Sequence, residues 1–113
     1  MTLFFEDQTV LVTGGAGFIG SALVRQLLAN GAVVRVVDNL VNGKRENLAD
    51  IIDNPRLALH RVDIRDVASM EALITNTNVV FNLACLGVRN SIHSPQENHE
   101  VNATATLNLL RLA

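Results

Sequence analysis

Thr9-Val10-Leu11-Val12-Thr13-Gly14-Gly15-Ala16-Gly17-Phe18-Ile19-Gly20 is a run of β-branched and aliphatic residues that ends in a cluster of glycines. Val10, Leu11 and Val12 suit a strand. From Ile19 onward, Ala22, Leu23, Leu27 and Leu28 recur at the spacing of one helix face. The glycines therefore occupy a strand-to-helix turn. A helix N-terminus presents N–H groups without intrahelical acceptors and the positive end of the helix dipole, so an anion, phosphate above all, is its natural guest. Glycine serves such a turn by reaching φ > 0, by letting a ligand approach the backbone, and by letting helix and strand pack closely.

Two registers fit the cluster. Gly15-x-Gly17-x-x-Gly20 matches the general dinucleotide fingerprint, and Gly14-x-x-Gly17-x-x-Gly20 resembles the variant of the short-chain dehydrogenase/reductases. A glycine-rich turn on its own also serves simply to join two elements. The next apolar run, Ala32 to Val37, ends in Asp38, which places a carboxylate at a strand C-terminus about 20 residues beyond the turn. There it accepts from the hydroxyls of an adenosine ribose and repels a 2′-phosphate, favouring NAD over NADP. A strand-end cap is the alternative role for Asp38.

With 113 residues the chain makes at most one domain and is short for a complete doubly wound sheet. Its 49% hydrophobic and 18% charged residues exclude a disordered chain, and a net charge of -2 gives no footprint for nucleic acid. The single cysteine, Cys85, cannot form an internal disulfide, which makes a cytoplasmic setting the expectation. No apolar run reaches membrane-spanning length, and Met1 to Asp7 reads as a short lead-in to the first strand rather than a signal peptide. His60, His93 and His99 have no zinc spacing, so no metal is expected.

Taken in order, the first helix is expected from Phe18 to Ala29, ending at Asn30-Gly31 with glycine in the left-handed C′ position. The segment Asn39 to Leu48 begins as a polar loop and ends in a possible short helix, with Lys44 and Arg45 either near phosphate or solvated. Leu57 to Val62 reads as a third strand, finishing at Asp63. Asp63 is placed to accept from an adenine amino group, with Ile64 over the ring. Asp66 caps a helix from Val67 to Thr75. The fourth strand, Val79 to Ala84, is nearly all apolar, as suits a parallel strand covered on both faces. Ala84 and Cys85 then leave room for a flat ring at the ligand-binding end, with Cys85 either an inert hydrophobe or a nucleophile.

Gly87 to His93 reads as a polar loop, and Ser94-Pro95-Gln96-Glu97 as a capping box with proline at the first helical position. The last helix runs from there to the end of the chain, with Val101, Ala105, Leu109 and Leu112 as its apolar stripe, widened by Leu107 and Leu110. Asn102 beside that stripe either holds a loop or faces solvent.

Thr13 to Gly20, Asp38-Asn39-Leu40, Asp63-Ile64-Arg65-Asp66, Phe81-Asn82-Leu83-Ala84 and Asn102 together resemble the extended short-chain dehydrogenase/reductases, and more narrowly the NAD-dependent nucleotide-sugar epimerases and dehydratases. The resemblance covers essentially the whole chain. It implies a Rossmann-type α/β fold, a partial doubly wound parallel sheet with four strands in the order 3-2-1-4, over residues 1–113. It also implies NAD as cofactor, with Gly14, Gly17, Phe18 and Ile19 at the pyrophosphate and Asp38, Asn39, Asn42 and Gly43 around the ribose. Asp63 and Ile64 fall at adenine, Leu83, Ala84 and Cys85 along the cleft, and Asn102 at the structural or cofactor-supporting asparagine of the family. Two positions depart from the family pattern: Asn82 stands where histidine is frequent, and Ala105 where glycine is frequent.

Catalysis in that family is associated with a Tyr-x-x-x-Lys pair and a nearby Ser or Thr. This chain has no tyrosine, and its one lysine, Lys44, lies in the ribose loop. Hydride transfer needs a positioned acid or base, and no residue here stands where one is required. The chain alone is therefore expected to bind cofactor without turnover, the C-terminal strands, catalytic motif and substrate domain being absent. A non-catalytic dinucleotide-binding regulatory or interaction module is the alternative. The sugar, the nucleotide and the choice between epimerisation and dehydration are left open. In the order 3-2-1-4 the fourth strand lies at an edge, so a further strand is expected from a C-terminal portion, another polypeptide or a second copy in a homo-oligomer.

Overall fold

The computed structural model describes residues 5 to 86 and 88 to 113, and of residues 88 to 90 only the backbone. The part of the expected lead-in that covers residues 1 to 4 lies outside the described residues. Strand β1 (Thr9–Thr13) leads into helix α1 (Phe18–Ala29), followed by β2 (Val33–Val37), a 3-10 turn (Arg45–Leu48), β3 (Leu57–His60), α2 (Val67–Ile74) and β4 (Val79–Asn82). Then come α3 (Val88–His93), α4 (Pro95–His99), a π-helical segment (Glu100–Thr104) and α5 (Ala105–Leu112).

The strands form one parallel sheet in the order β3-β2-β1-β4, as the sequence led us to expect. Alternation along β1 divides the core. Val10 and Val12 face α1 and join Val24, Leu27, Val34 and Val36 in one cluster. Leu11 faces the other layer and joins Met70, Val101, Ala105 and Leu109. Covered on both faces, β1 is the apolar run that a central parallel strand requires. Arg35 is the exception on β2. Paired with Leu11, it sends its guanidinium to the carbonyls of Leu73 and Thr75, satisfying acceptors at the C-terminus of α2.

Gly31 (φ +83°) ends α1 in the left-handed conformation, and Asp66 caps α2 by accepting from the Ser69 N–H. Both follow the sequence. Three expectations are corrected. The segment read as a polar loop from Gly87 to His93 contains α3; Gly87 itself lies outside the described residues. This helix is short and Ile92 is 72% exposed, so no apolar stripe announced it. Ser94 precedes α4 with Pro95 in the first turn, yet its hydroxyl makes no capping bond; the Ser94 carbonyl instead accepts from the Asn98 N–H. Strands β3 and β4 stop at His60 and Asn82, short of Val62 and Ala84, because their partners end there: His60 pairs with Val37, the last residue of β2, and Asn82 with Thr13, the last of β1.

Val79 and Phe81 of β4 pack against one core cluster and Val80 against the other. All four β4 residues are nonetheless half-buried, since no described strand lies on their outer side.

Candidate functional site

The C-terminal ends of all four strands open on a cleft of about 440 Å³. Such an edge is where open α/β sheets bind ligands. The glycine turn forms its floor. The N–H of Gly14 donates to Val37, and Gly14 takes φ +70°. A Cβ on Gly20 would lie 2.1 Å from the Gly14 carbonyl oxygen, so only glycine lets the first turn of α1 close over the end of β1. Gly17 is the N-cap and offers no side-chain acceptor, and no acidic residue stands in the first turn. Among the described residues, the N–H groups of Phe18, Ile19 and Gly20 meet no protein acceptor. They are the donors an anion would use.

Asp38 is buried at the end of β2. Its Oδ2 accepts from the Ala16 N–H at 3.1 Å and its Oδ1 from the Leu40 N–H at 2.8 Å. The first bond ties the carboxylate to the glycine turn; the second folds the following loop into an Asx-turn, with Leu40 held at φ +63°. Gly43 closes against this carboxylate, where a Cβ would lie 2.5 Å from Oδ2. From the other side, the Ala16 carbonyl accepts from the Lys44 N–H and the Asn47 side chain. Asp38 is thus a strand-end cap and also a cleft carboxylate, because two backbone donors leave lone pairs free for hydroxyls.

Asp63 repeats the device at the end of β3. Its Oδ1 accepts from the Arg65 N–H at 2.9 Å, and the Arg65 guanidinium holds the carboxylate below the ordinary aspartate range. Ile64 is buried beside it. At the end of β4 the Thr13 hydroxyl donates to the Asn82 amide oxygen and accepts from the Ala84 N–H, while the Asn82 Nδ2 donates to Thr106. The amide that replaces the frequent histidine supplies one acceptor and one donor. Ala105 sits buried in the second core cluster without displacing it.

Every residue expected to bind cofactor lines this cleft except Asn102. Asn102 lies behind the wall, its amide bonded to both backbone groups of Leu86. Both of its alternatives are met, since Asn102 holds the loop and is itself exposed. Gly20, Val37, Val62, Leu86 and Val101 also line the cleft. Gly20 already belonged to the fingerprint, and Val37 and Val62 immediately precede the two aspartates. Leu86 and Val101 carried no local signal.

The model of the GDP-mannose 4,6 dehydratase family matches residues 11–113. The chain belongs to that family. Its relatives include UDP-glucuronic acid decarboxylase 1 of Arabidopsis thaliana, 37% identical over 92% of this chain and 23% of that protein. The dTDP-glucose 4,6-dehydratase of Neisseria meningitidis is 42% identical over 92% of this chain and 31% of its own length. Among solved structures, the dTDP-glucose 4,6-dehydratase DesIV of Streptomyces venezuelae, with NAD and TYD bound, superposes with a TM-score of 0.88 at 38% identity, over 94% of this chain and 35% of that one. The chain thus spans about a quarter to a third of the length of these family members. Their likeness matches the resemblance to NAD-dependent nucleotide-sugar epimerases and dehydratases found in the motifs.

Proposed function

We propose that this chain is the NAD-binding portion of a nucleotide-sugar epimerase or dehydratase. The observation that carries the reading is that the unpaired N–H groups at the start of α1 and the Asp38 carboxylate open on one cleft. The N–H groups suit a pyrophosphate, the lone pairs of Asp38 suit the adenosine ribose diol, and the pair Asp63 and Ile64 suits adenine. Asn39, Asn42 and Gly43 border the ribose, and Leu83, Ala84 and Cys85 face the nicotinamide half. When bound, nicotinamide takes up and returns a hydride; the residues here orient it and shield it from water.

Isothermal titration of the purified chain with NAD and NADP tests this reading. Saturable binding of NAD with weaker binding of NADP is expected. A folded sample that ignores both dinucleotides overturns it.

A second reading is a dinucleotide-binding regulatory module that acts through a protein partner and without turnover. A Tyr-x-x-x-Lys motif encoded in frame beyond Ala113 decides for the enzyme. The open side of β4, with Leu107 and Leu110 exposed on α5, supports a further strand from the same polypeptide or from a second copy. Light scattering that finds a stable monomer removes the second copy. Among the described residues no helix is long and apolar enough to cross a membrane. A cytoplasmic setting, supported by the single cysteine, belongs to the same proposal.

A further inference from the structure

We propose that Arg65 is a positioning residue for the base, its guanidinium fixing the Asp63 carboxylate so that one acceptor lone pair stays aimed at an adenine amino group. The proposal rests on the cofactor reading above. Arg65 Nε donates to both Asp63 oxygens, at 3.0 and 3.1 Å, and Nη2 donates to Oδ2 at 2.6 Å. With the Arg65 N–H on Oδ1, the fork holds the carboxylate in one plane. Asn39 and Asp63 both line the cleft. Arg65 brings three N–H donors, its backbone N–H, Nε and Nη2, to a carboxylate with four lone-pair sites, which leaves one for an incoming amino group.

Arg65 is itself anchored on its far side. Its Nη1 lies 3.5 Å from a Glu100 oxygen and 3.9 Å from one of Glu97. Both acids belong to the helical stretch whose Asn98 and Asn102 side chains bond Leu86, at the other end of the cleft. That stretch is π-helical from Glu100 to Thr104, a local widening that recurs at functional sites. One helix thereby braces the loops after β3 and β4 together.

The effect of Arg65 is geometric. Its charge alone draws electron density from Asp63 and does nothing to favour a hydrogen bond from the base; the planar fork orients the acceptor before the ligand arrives, so less ordering is needed on binding. A lysine would keep the charge and lose the orientation.

The test compares NAD with its hypoxanthine analogue, in which a carbonyl replaces the adenine amino group. Isothermal titration of the wild-type chain should show NAD binding roughly tenfold more tightly. Arg65→Gln should bring NAD to within about twofold of the analogue, whose own affinity changes little. Asp63→Asn should abolish the preference, and Arg65→Gln added to it should do nothing more. Equal weakening of both ligands by Arg65→Gln, or an unchanged ratio, overturns the proposal. If Arg65→Gln does not fold, Arg65→Lys decides: a ratio below about threefold supports the fork, and an unchanged ratio overturns it. A wild-type chain that binds both ligands equally removes the role of Arg65 and leaves the cofactor reading standing; one that is folded and binds neither removes both.

Discussion

Asn102 holds Leu86 by both of its backbone groups, accepting from the N–H at 2.7 Å and donating to the carbonyl at 2.9 Å. Its amide also donates to Asn98, so the loop after β4 is bound to the helix that follows it. An amide carries its acceptor and its donors on separate atoms, so it can meet the N–H and the C=O of one residue side by side. Replacing Asn102 with Leu removes both bonds and should lower stability by about 1–3 kcal/mol, read as a lower urea midpoint at unchanged slope. Asn102→Asp keeps the acceptor and should lose less. A midpoint left unmoved by the leucine variant contradicts this role.

Gly20 and Gly17 separate folding from binding. A Cβ at Gly20 would sit 2.1 Å from a carbonyl oxygen, whereas at Gly17 its nearest neighbour is 3.3 Å away. Gly20→Ala must shift backbone and should destabilise by about 1–3 kcal/mol or more, with cofactor binding lost alongside. Gly17→Ala should cost only a small drop in melting temperature while weakening NAD, because its methyl group stands where a pyrophosphate approaches. Equal melting temperatures for the two variants would contradict the geometry.

Asp38→Asn keeps a side-chain oxygen for one of the two backbone donors and removes the charge. NAD affinity should fall roughly tenfold, since a charged acceptor for ribose hydroxyls becomes a neutral one. NADP should gain relative to NAD, because the repulsion of a 2′-phosphate is gone. Titration with both dinucleotides reads the ratio, and an unaltered preference removes Asp38 from cofactor selection.

Asp63 should make the fold sensitive to acid. Its pKa lies below the ordinary 3.8, chiefly through the hydrogen bond from Arg65. A carboxyl group depressed on folding contributes stability that is present above its unfolded pKa and lost as the pH falls through the folded one. Thermal melts from pH 7 to pH 3 should therefore show the wild type losing more stability below about pH 4 than Asp63→Asn does. Parallel curves would show that the pair adds nothing on folding.

The periodicity of Thr9 to Leu28 was enough to place a strand, a glycine turn and a helix, and α1 runs over the expected residues. Asp38 and Asp63 were legible because each follows an apolar run, and a strand end is a local property of the sequence. What local pattern could not show was whom the side chains would meet. Asp38 bonds Ala16 across 22 residues, and Asn102 bonds Leu86 across 16. Ser94 illustrates the reverse case: a capping pattern was present, yet the backbone φ of -141° and ψ of 67° left its hydroxyl without the capping bond.

The amino-acid order by itself determined the alternation of strands and helices and the residues that could face a dinucleotide, since hydrophobic spacing and glycine sterics act over a few neighbours. The tertiary structure decided where β3 and β4 stop, that α3 forms, and that one helical stretch meets both Leu86, through Asn102, and Arg65, through Glu97 and Glu100. Those outcomes depend on side chains brought together by the closing of the sheet, and their energies exist only once the distant partners have arrived.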